Sequence, residues 1–373
     1  MHKLIIKFSL LLLSAVIGSG LFAEDSWQDV SRIVAVGDVH GDYDNFFKVL
    51  QQAGIINRRG NWIAGETHLV QLGDVPDRGP DTDKVIDLLR KLDRQAVRDG
   101  GMVHALIGNH EAMNMLGDLR YVHPGEYRAF VDRNSNRLRE RYYDLVVQNR
   151  KASDPEFEAD QEFRSTFEEQ IPPGYVEHRV AWSPGGDIGS WVLQHNAIIR
   201  INRVLFLHGG ISPGLLAEGL NMDQINAGVK DELSQGENGP PDVEGLATAE
   251  DGPLWYRGLA TNSDEAEASH VEAVLQHFDV DYIVIGHTPG LGTIVPRFGG
   301  KVLVIDSGIS GYYGGHLSSL TIEDGGLFNT QEGERLQIPV GDDDPVPYFE
   351  AAAALEPDLE ALQRYLQNLQ QTD

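Results

Sequence analysis

The sequence predicts an α/β fold in which strands and helices alternate along the chain. Within residues 32–111, three short apolar runs alternate with segments whose apolar residues recur at helical spacing. Such alternation is typical of βαβ units, whose sheet is buried between layers of other elements. A glycine-flanked polar motif also follows each run directly, and ligands of open α/β sheets bind at the carboxyl ends of the strands.

The predicted elements follow in order along the chain. RIVAV at residues 32–36 is predicted to be a strand, and an amphipathic helix follows it. Two further strands are predicted within THLVQLGD at 67–74 and GMVHALIGNHE at 101–111, and a second helix is predicted between them after Pro80. The later predictions are a strand pair with a hairpin turn within 192–207, a loop at 233–252, a helix at 264–278, and strands within 282–290 and 301–308.

Residues 1–23 have the layout of a secretory signal peptide. Lys3 and Lys7 precede an uncharged apolar stretch, and small residues lead to Ala23. The apolar stretch is too short to favour a permanent membrane span. We therefore expect an exported protein, periplasmic or secreted, with no stable membrane insertion after cleavage. The alternative is a buried N-terminal strand.

The rest of the chain is expected to form one main domain at residues 24–345 and a C-terminal helix at 346–373. An insert at 117–190 interrupts the alternation and is predicted to be helical in its first part. Residues 120–151 of this insert carry seven Arg and one Lys against four acids, so they form either a solvated helix face or a lid that attracts an anionic substrate. Leucines at helical spacing in the C-terminal segment favour packing on the chain's own body, and hence a monomer, over dimerisation.

Composition excludes several classes of function. The formal net charge is −27 at pH 7, whereas sequence-independent binding to nucleic acid requires a basic surface. The chain has no cysteine, which rules out disulfides, a thiolate nucleophile and a zinc–thiolate site. Any bound metal must therefore be held by nitrogen and oxygen atoms.

Five glycine-containing polar motifs follow apolar runs, so they should meet at one sheet edge. They are GDVHGD, GDVPDRG, GNHE, HGGISP and GHTP. Together they supply two carboxylates, one amide and three imidazoles, namely Asp38, His40, Asp74, Asn109, His208 and His287. This set exceeds the need of one ion, whereas two ions about 3.5–4 Å apart that share a carboxylate would use all six and suit phosphate ester hydrolysis. Ligands without sulfur fit manganese, iron or zinc.

The order of these motifs resembles that of the calcineurin-like metallophosphoesterases of the phosphoprotein phosphatase family. Three features are similar to the Shewanella-like branch of that family, namely the sequence GDVPDRGPDT, the signal peptide and the long insert after GNHE. The resemblance implies a β-sandwich flanked by helices, with a helical insert after GNHE. It also implies that residues 24–345 form a metallophosphoesterase catalytic domain.

The resemblance implies a role for each motif residue. One metal would be held by Asp38, His40 and Asp74, and the second by Asp74, Asn109, His208 and His287. A water activated by the two metals would attack phosphorus, and His110, oriented by Asp77, would protonate the leaving oxygen. The phosphate would be bound by Arg78, Asn109 and Arg257. Asp42 and Glu111, which also lie in motifs, are expected to orient ligands or cap helices.

The substrate stays open between several alternatives. A phosphoprotein or small phosphoester is expected, and similarity to a tyrosine phosphatase of the branch favours phosphotyrosine. The Ser/Thr-specific members carry an asparagine–tyrosine loop, whereas this chain has IDSGISGYYGG at 305–315. This difference would put Tyr312 and Tyr313 near the substrate. Trp255 and Tyr256, which lie beside Arg257 in the sequence, would be a second aromatic pair there. The alternatives are a Ser/Thr-preferring phosphatase, a dinucleoside-polyphosphate or nucleotide hydrolase, and a non-catalytic binding protein.

Overall fold

The computed structural model describes residues 24–235 and 244–372. The predicted signal peptide at residues 1–23 lies outside the described residues. Strands and helices are numbered in chain order. The strands are β1 (Ser26–Trp27), β2 (Arg32–Val36), β3 (His68–Gln71), β4 (Met102–Ala105), β5 (Ile198–Ile201), β6 (Val204–Leu207), β7 (Tyr282–Ile285), β8 (Val295–Arg297), β9 (Val302–Val304), β10 (Ser318–Glu323), β11 (Gly326–Gln331) and β12 (Glu334–Gln337).

The α-helices are distributed before, within and after the insert. They are α1 (Tyr43–Gln52), α2 (Thr82–Ala96), α3 (Asn109–Leu116), α4 (Pro124–Ala129), α5 (Ser135–Ser153), α6 (Gln161–Gln170), α7 (Tyr175–Trp182), α8 (Asp187–Val192), α9 (Pro213–Ala217), α10 (Met222–Gln235), α11 (Gly258–Thr261), α12 (Asp264–Phe278), α13 (Val346–Leu355) and α14 (Glu360–Thr372).

Two six-stranded mixed sheets form the centre of the protein. The first has the order β1-β5-β6-β7-β9-β8, and the second has the order β12-β11-β10-β2-β3-β4. Strands β2, β3 and β4 are parallel neighbours, as are β6, β7 and β9. The carboxyl ends of these parallel strands carry the five polar motifs.

The alternation of side chains along each strand explains why the sheets form a sandwich. In β2, Ile33 and Ala35 join a core that also contains Phe206 of β6, so these side chains pack between the sheets. Val34 and Val36 point to the opposite face and pack among the residues of α1 and α2. A third core, built around the outer face of β6, β7 and β9, includes apolar residues of α10 and α12. The predicted α/β sandwich flanked by helices is therefore confirmed.

Three antiparallel strands, β10 to β12, were not predicted from the sequence. Two-residue turns connect them, since Glu323 pairs with Gly326 and Gln331 pairs with Glu334. Both residues of the first turn, Asp324 and Gly325, have positive φ angles. An Asp-Gly pair between alternating strands is a strong hairpin signal, so this turn could have revealed the strands.

The insert after GNHE is helical from α4 to α8, beyond the first part in which helix was predicted. SDPE and IPPG lie where α5 and α6 end, as turn-forming sequences should. Arg179 of α7 donates to the carbonyl oxygens of Asn114 and Met115 near the C-terminus of α3. The insert is thereby joined to the helix that carries the GNHE residues.

The C-terminal segment differs from the single helix predicted at 346–373, because it forms two helices, α13 and α14. The break falls at Glu356, whose φ of −124° and ψ of 61° are not helical. Pro357 follows it, and the residue before a proline is sterically disfavoured in the helical region. Leu362 of α14 is fully buried in the core between the sheets. Within the described ranges, none of the helices combines the length and hydropathy needed to cross a membrane.

Candidate active site

Close backbone approach brings the first two motifs together. Gly41 has a φ of 62°, and a Cβ atom added there would lie 2.6 Å from the carbonyl oxygen of Gly79. The amides of Val39 and His40 both donate to the carbonyl oxygen of Asp74, at 3.1 and 2.9 Å. Glycine is needed where two backbones come this close. The two loops consequently present their carboxylates to one space.

The first ligand cluster consists of Asp38, His40 and Asp74, all of them buried. His40 Nδ1 lies 3.1 Å from the carbonyl oxygen of Pro76, to which it must donate. The lone pair of the neutral ring therefore lies on Nε2, which is 3.9 Å from Asp38 Oδ2 and 3.8 Å from Asp74 Oδ2. A carbonyl that fixes the tautomer in this way is typical of metal-binding histidines.

The second cluster contains Asp74, Asn109, His208 and His287. His208 Nδ1 lies 2.8 Å from the carbonyl oxygen of Leu72, and its Nε2 lies 2.8 Å from Asn109 Oδ1 and 3.2 Å from Asp74 Oδ1. His287 Nε2 lies 3.1 Å from the carbonyl oxygen of Trp255, which leaves Nδ1 as the ligand atom. Asp74, His208 and His287 each offer one ligand atom within 4.8 Å of the others.

Asp74 belongs to both clusters through different oxygen atoms. Its Oδ1 faces His208, whereas its Oδ2 faces His40. One carboxylate directed at two groups of ligands is the arrangement that a pair of neighbouring metal ions requires.

The charge balance also fits cations. Four carboxylates are buried together at this centre, those of Asp38, Asp74, Glu111 and Asp306. Burial raises the pKa of Asp38 well above its usual range, and the nearby charge of Asp306 raises it further. Burial also raises the pKa of Glu111 to about 7 and that of Asp306 to about 6. Burying several carboxylates without compensating positive charge is costly, so the residues fit two bound metal ions.

The pKa of His208 also indicates a site for a cation. Burial alone would lower its pKa, but the charges of Asp74 and Asp38 prevail and raise it to about 10. Its Nε2 faces two oxygen atoms that can only accept, because Asn109 turns its carbonyl oxygen towards the ring. This position therefore attracts either a proton or a metal ion.

His110 and Asp77 form a pair beside the clusters. His110 Nδ1 lies 2.5 Å from Asp77 Oδ2, and Asn114 Nδ2 donates to Asp77 Oδ1 at 2.9 Å. Burial would lower the pKa of His110, but the charge of Asp74 and the hydrogen bond to Asp77 outweigh it and raise that pKa. His110 Nε2 is 3.7 Å from Asp74 Oδ2, close enough for His40, Asp74 and His110 to form a potential metal group as well.

Arg78 lies among three aromatic rings. Its Cζ atom is 4.4 Å from the ring centroid of Tyr121, 5.0 Å from that of Tyr312 and 5.1 Å from that of Tyr313. Its buried Nε has no hydrogen-bond partner among the described residues. Stacking holds a guanidinium without using its N–H donors. Arg78 therefore retains donors for an anionic ligand, and the ring of Tyr313 is also 5.4 Å from that of His40.

Arg257 lies beside the second cluster, next to His287. It is exposed, and its Nη1 donates to the carbonyl oxygen of His287 at 2.7 Å and to Thr288 Oγ1 at 3.2 Å. The ring of Trp255 is 5.9 Å from that of His287. Tyr256 instead donates its hydroxyl to Glu267 Oε1 at 3.0 Å. The structure thus brings Trp255 to the site, whereas Tyr256 is engaged by α12.

Glu111 and Asp42 orient backbone, as the sequence predicts. Glu111 accepts the amides of Asp74, Val75 and Gly108 at 2.8–2.9 Å. Asp42 caps α1 by accepting the amide of Asn45 at 3.0 Å.

The sequence analysis missed two further residues at the site. Asp306 is 1 % exposed, and within the described part of the chain its Oδ2 has no hydrogen-bond partner. The sequence IDSG after an apolar run repeats the pattern of the five motifs and could have revealed it. Tyr121 belongs to the insert, and no local pattern identifies it.

Comparisons with known proteins agree with this geometry. A family model described as calcineurin-like phosphoesterase matches residues 31–291. An uncharacterised protein of Schizosaccharomyces pombe is 34% identical over 295 residues, which cover 78% of this chain and 76% of the relative. Shewanella-like protein phosphatase 2 of Arabidopsis thaliana is 30% identical over 289 residues, covering 75% and 71% of the two chains.

A solved structure extends the agreement to three dimensions. The cold-active protein-tyrosine phosphatase of a psychrophilic Shewanella species shares 32% identity with this chain. The match has a TM-score of 0.63 and covers 84% of this chain and 82% of the other. Since the family model spans well over half of the sequence and the site holds its two His/Asp clusters, the chain belongs to the calcineurin-like phosphoesterase family.

Proposed function

We propose that this metallophosphoesterase is an exported protein phosphatase that prefers phosphotyrosine over phosphoserine and phosphothreonine. The position of His110 is the observation that best supports phosphatase chemistry. Its Nδ1 is held by Asp77, while its Nε2 lies 3.7 Å from the carboxylate shared by both clusters. A proton donor beside a dimetal centre and a free guanidinium is what hydrolysis of a phosphate monoester requires.

Two divalent or transition metal ions, manganese, iron or zinc, are proposed as cofactors. The first would be held by Asp38, His40 and Asp74, and the second by Asp74, Asn109, His208 and His287. Such ions supply an activated water and neutralise charge on the phosphate.

The protein's own residues would bind the phosphate and move the proton. Arg78 would donate to two phosphate oxygens, because its guanidinium is planar and unpaired. Asn109 and Arg257 are proposed as further contacts of the phosphate, since Asn109 lies beside His208 and Arg257 beside His287. Asp77 accepts from His110 Nδ1 and thereby directs the transferable proton to Nε2, from which it would pass to the leaving oxygen.

Preference for phosphotyrosine is supported by the aromatic residues around Arg78. Tyr312 is 63% exposed, and Tyr313 lies half-buried beneath it at a centroid distance of 5.0 Å. A phenyl phosphate bound to Arg78 would meet these rings, and such aromatic pairs contribute about 0.5–1.5 kcal/mol beyond buried area. This corresponds to a preference of about three- to tenfold rather than to strict specificity.

A single comparison of substrates tests the proposal. One peptide is prepared with phosphate on Tyr, Ser or Thr, and kcat/KM is measured for each form with Mn²⁺, Zn²⁺ or Fe²⁺. The proposal expects the highest value for phosphotyrosine. A clear preference for phosphoserine or phosphothreonine would contradict it. Much faster cleavage of diadenosine tetraphosphate would instead assign the chain to the dinucleoside-polyphosphate hydrolases.

The proposal of export is supported by the sequence pattern of residues 1–23. Expression of the full chain in a bacterial host, followed by fractionation, should place a shortened protein in the periplasm or medium. A variant without residues 1–23 is the matched control and should stay in the cytoplasm. Retention of both forms in the cytoplasm at full length would overturn this part of the proposal.

A further inference from the structure

We propose that Tyr121, a residue of the insert, forms the wall against which the leaving group of an aryl phosphate stacks. The insert would then contribute directly to substrate specificity at the active site. This inference rests on the proposed function, because it assigns the leaving-group side of that same site.

Tyr121 lies close to both Arg78, which would bind the phosphate, and His110, which would protonate the leaving oxygen. Its ring centroid is 4.4 Å from Cζ of Arg78 and 5.3 Å from the ring centroid of His110, with an angle of 38° between the two rings. Arg78 would bind the phosphate oxygens, and His110 would give its proton to the leaving oxygen. The group attached to that oxygen must therefore lie next to His110, where the ring of Tyr121 belongs to a residue that is 39% exposed.

The proton transfer shows on which side of the active site the leaving group must lie. Water adds to phosphorus, the bond between phosphorus and the leaving oxygen breaks, and the proton of His110 Nε2 passes to that oxygen. A phosphotyrosine side chain would then leave as a neutral phenol. Throughout this step its ring would remain adjacent to the donor and hence to Tyr121. A serine side chain would have no ring to place there.

Tyr121 is fixed in this position by the start of the insert. Its carbonyl oxygen accepts the amide of Arg78 at 3.0 Å. Five residues later, buried Glu126 accepts the amide of Asp77 at 3.1 Å and that of His123 at 3.3 Å. The segment that carries Tyr121 is therefore hydrogen-bonded to the Asp77–Arg78 loop at two points, so the ring is positioned before substrate binds.

Tyr312 and Tyr313 lie at the remaining sides of the same guanidinium, at 5.0 and 5.1 Å. They come from the loop before β10, whereas Tyr121 comes from the insert. The aromatic surround of Arg78 is consequently assembled from two segments that are far apart in the sequence. Of the three rings, Tyr121 is the one in contact with His110, which places it closest to the leaving oxygen, whereas Tyr312 and Tyr313 would meet the aryl ring from the side of Arg78.

The experiment compares Tyr121→Leu and Tyr121→Phe with a control from the same insert. Tyr142→Leu removes a tyrosine that contacts Phe167 and Tyr175, at centroid distances of 6.1 Å in both cases. For each protein, kcat/KM is measured for one peptide phosphorylated at Tyr or at Ser. Inhibition by inorganic phosphate is measured in parallel, because it reports binding at Arg78 without a leaving group.

We expect Tyr121→Leu to lower the Tyr/Ser ratio of kcat/KM by about three- to tenfold, the value of one aromatic pair. Tyr121→Phe and Tyr142→Leu should keep the wild-type ratio and the wild-type inhibition by phosphate. In Tyr121→Leu the ring that stacks on Arg78 is lost, so any weaker inhibition by phosphate should lower kcat/KM equally for both peptides and leave the fall in the ratio unexplained. An equal loss on both peptides, or weaker phosphate inhibition that accounts for the whole loss, would show that Tyr121 only supports Arg78 and would overturn the inference.

The two proposals fail in different measurements. A wild-type protein that prefers phosphoserine contradicts the proposed substrate preference. The inference about Tyr121 depends only on whether the leucine variant lowers the aryl-to-alkyl ratio relative to that wild type. An unchanged ratio in a wild type that prefers phosphotyrosine would overturn the inference and leave the proposed function standing.

Discussion

Replacement of His110 by asparagine separates metal binding from proton transfer. His110 Nδ1 is engaged by Asp77 at 2.5 Å, while Nε2 lies 3.7 Å from Asp74 Oδ2. Asparagine removes the proton donor and keeps a polar side chain at the start of α3. General acid catalysis typically contributes about 10²- to 10⁴-fold, so we expect kcat for a phosphotyrosine peptide to fall by that factor.

The size of the loss should depend on the leaving group. Tyrosine leaves as a phenol with a pKa of about 10 and benefits from protonation. An aryl phosphate with an electron-withdrawing substituent leaves as a more acidic phenol and needs the proton less. We therefore expect the loss to shrink steadily along a series of increasingly acidic phenols, measured as kcat under saturating metal.

Metal content provides the control for this prediction. His40, Asp74 and His110 lie close enough to hold an ion together. If His110 is the acid, elemental analysis of the asparagine variant should still find about two ions per chain. An equal loss of kcat across the phenol series, or loss of one ion from the variant, would refute the assignment and make His110 a ligand.

Three further predictions concern ligands and stability. Asp74→Asn should release both ions, measured by elemental analysis, because Asp74 faces both clusters; retention of both would contradict a bridging role. Asp306→Asn should weaken metal retention by about 10- to 100-fold in chelator titrations, since it removes a negative charge beside Asp38, and unchanged retention would exclude that role. His178 is fully buried, neither of its ring nitrogens has a hydrogen-bond partner in the part of the chain that the structure describes, and burial lowers its pKa to about 3. The unfolded chain binds this proton near pH 6.5, so the free energy of unfolding falls as pH drops from about 6.5 towards 3. We therefore expect a smaller decrease in Tm over that window in His178→Phe than in the wild type. An identical decrease in both proteins would show that His178 is not the cause.

The ends of the parallel strands were predictable because their sequence signal is local. A short apolar run followed by glycine and a polar residue identifies a strand and the turn that follows it within a few residues. Asp38, Asp74 and Asn109 follow β2, β3 and β4, which are neighbours in one sheet. Parallel strands present their carboxyl ends at one edge, so the local pattern was enough to predict that these residues meet.

The parts that were not predicted depend on contacts between distant segments. Tyr121 reaches Arg78 because the insert is bonded to the Asp77 loop through Glu126. Neither the spacing nor the composition of the insert indicates this contact. The many arginines of residues 120–151 indicated a charged face or lid, whereas Glu140 of this stretch pairs with Arg164 of α6 on the insert's own surface. A contact of this kind follows from how helices pack, which a single sequence specifies only weakly.

The site residues are also held in an unfavourable backbone conformation. His40, Asp74, Asp77, Arg78 and His287 all have φ angles between 48° and 74°. Residues other than glycine adopt this region at a cost of about 1–3 kcal/mol each, and such residues cluster at functional sites. The buried carboxylates add a further electrostatic cost. The two costs meet at Asp74 and otherwise fall on neighbouring residues of the same site. Cations that bind only the folded chain would offset both, because such ligands stabilise the folded state. The centre is therefore suited to hold metal ions: the strained loops aim their side chains inward, and the sandwich beneath them supplies the stability that keeps this arrangement in place.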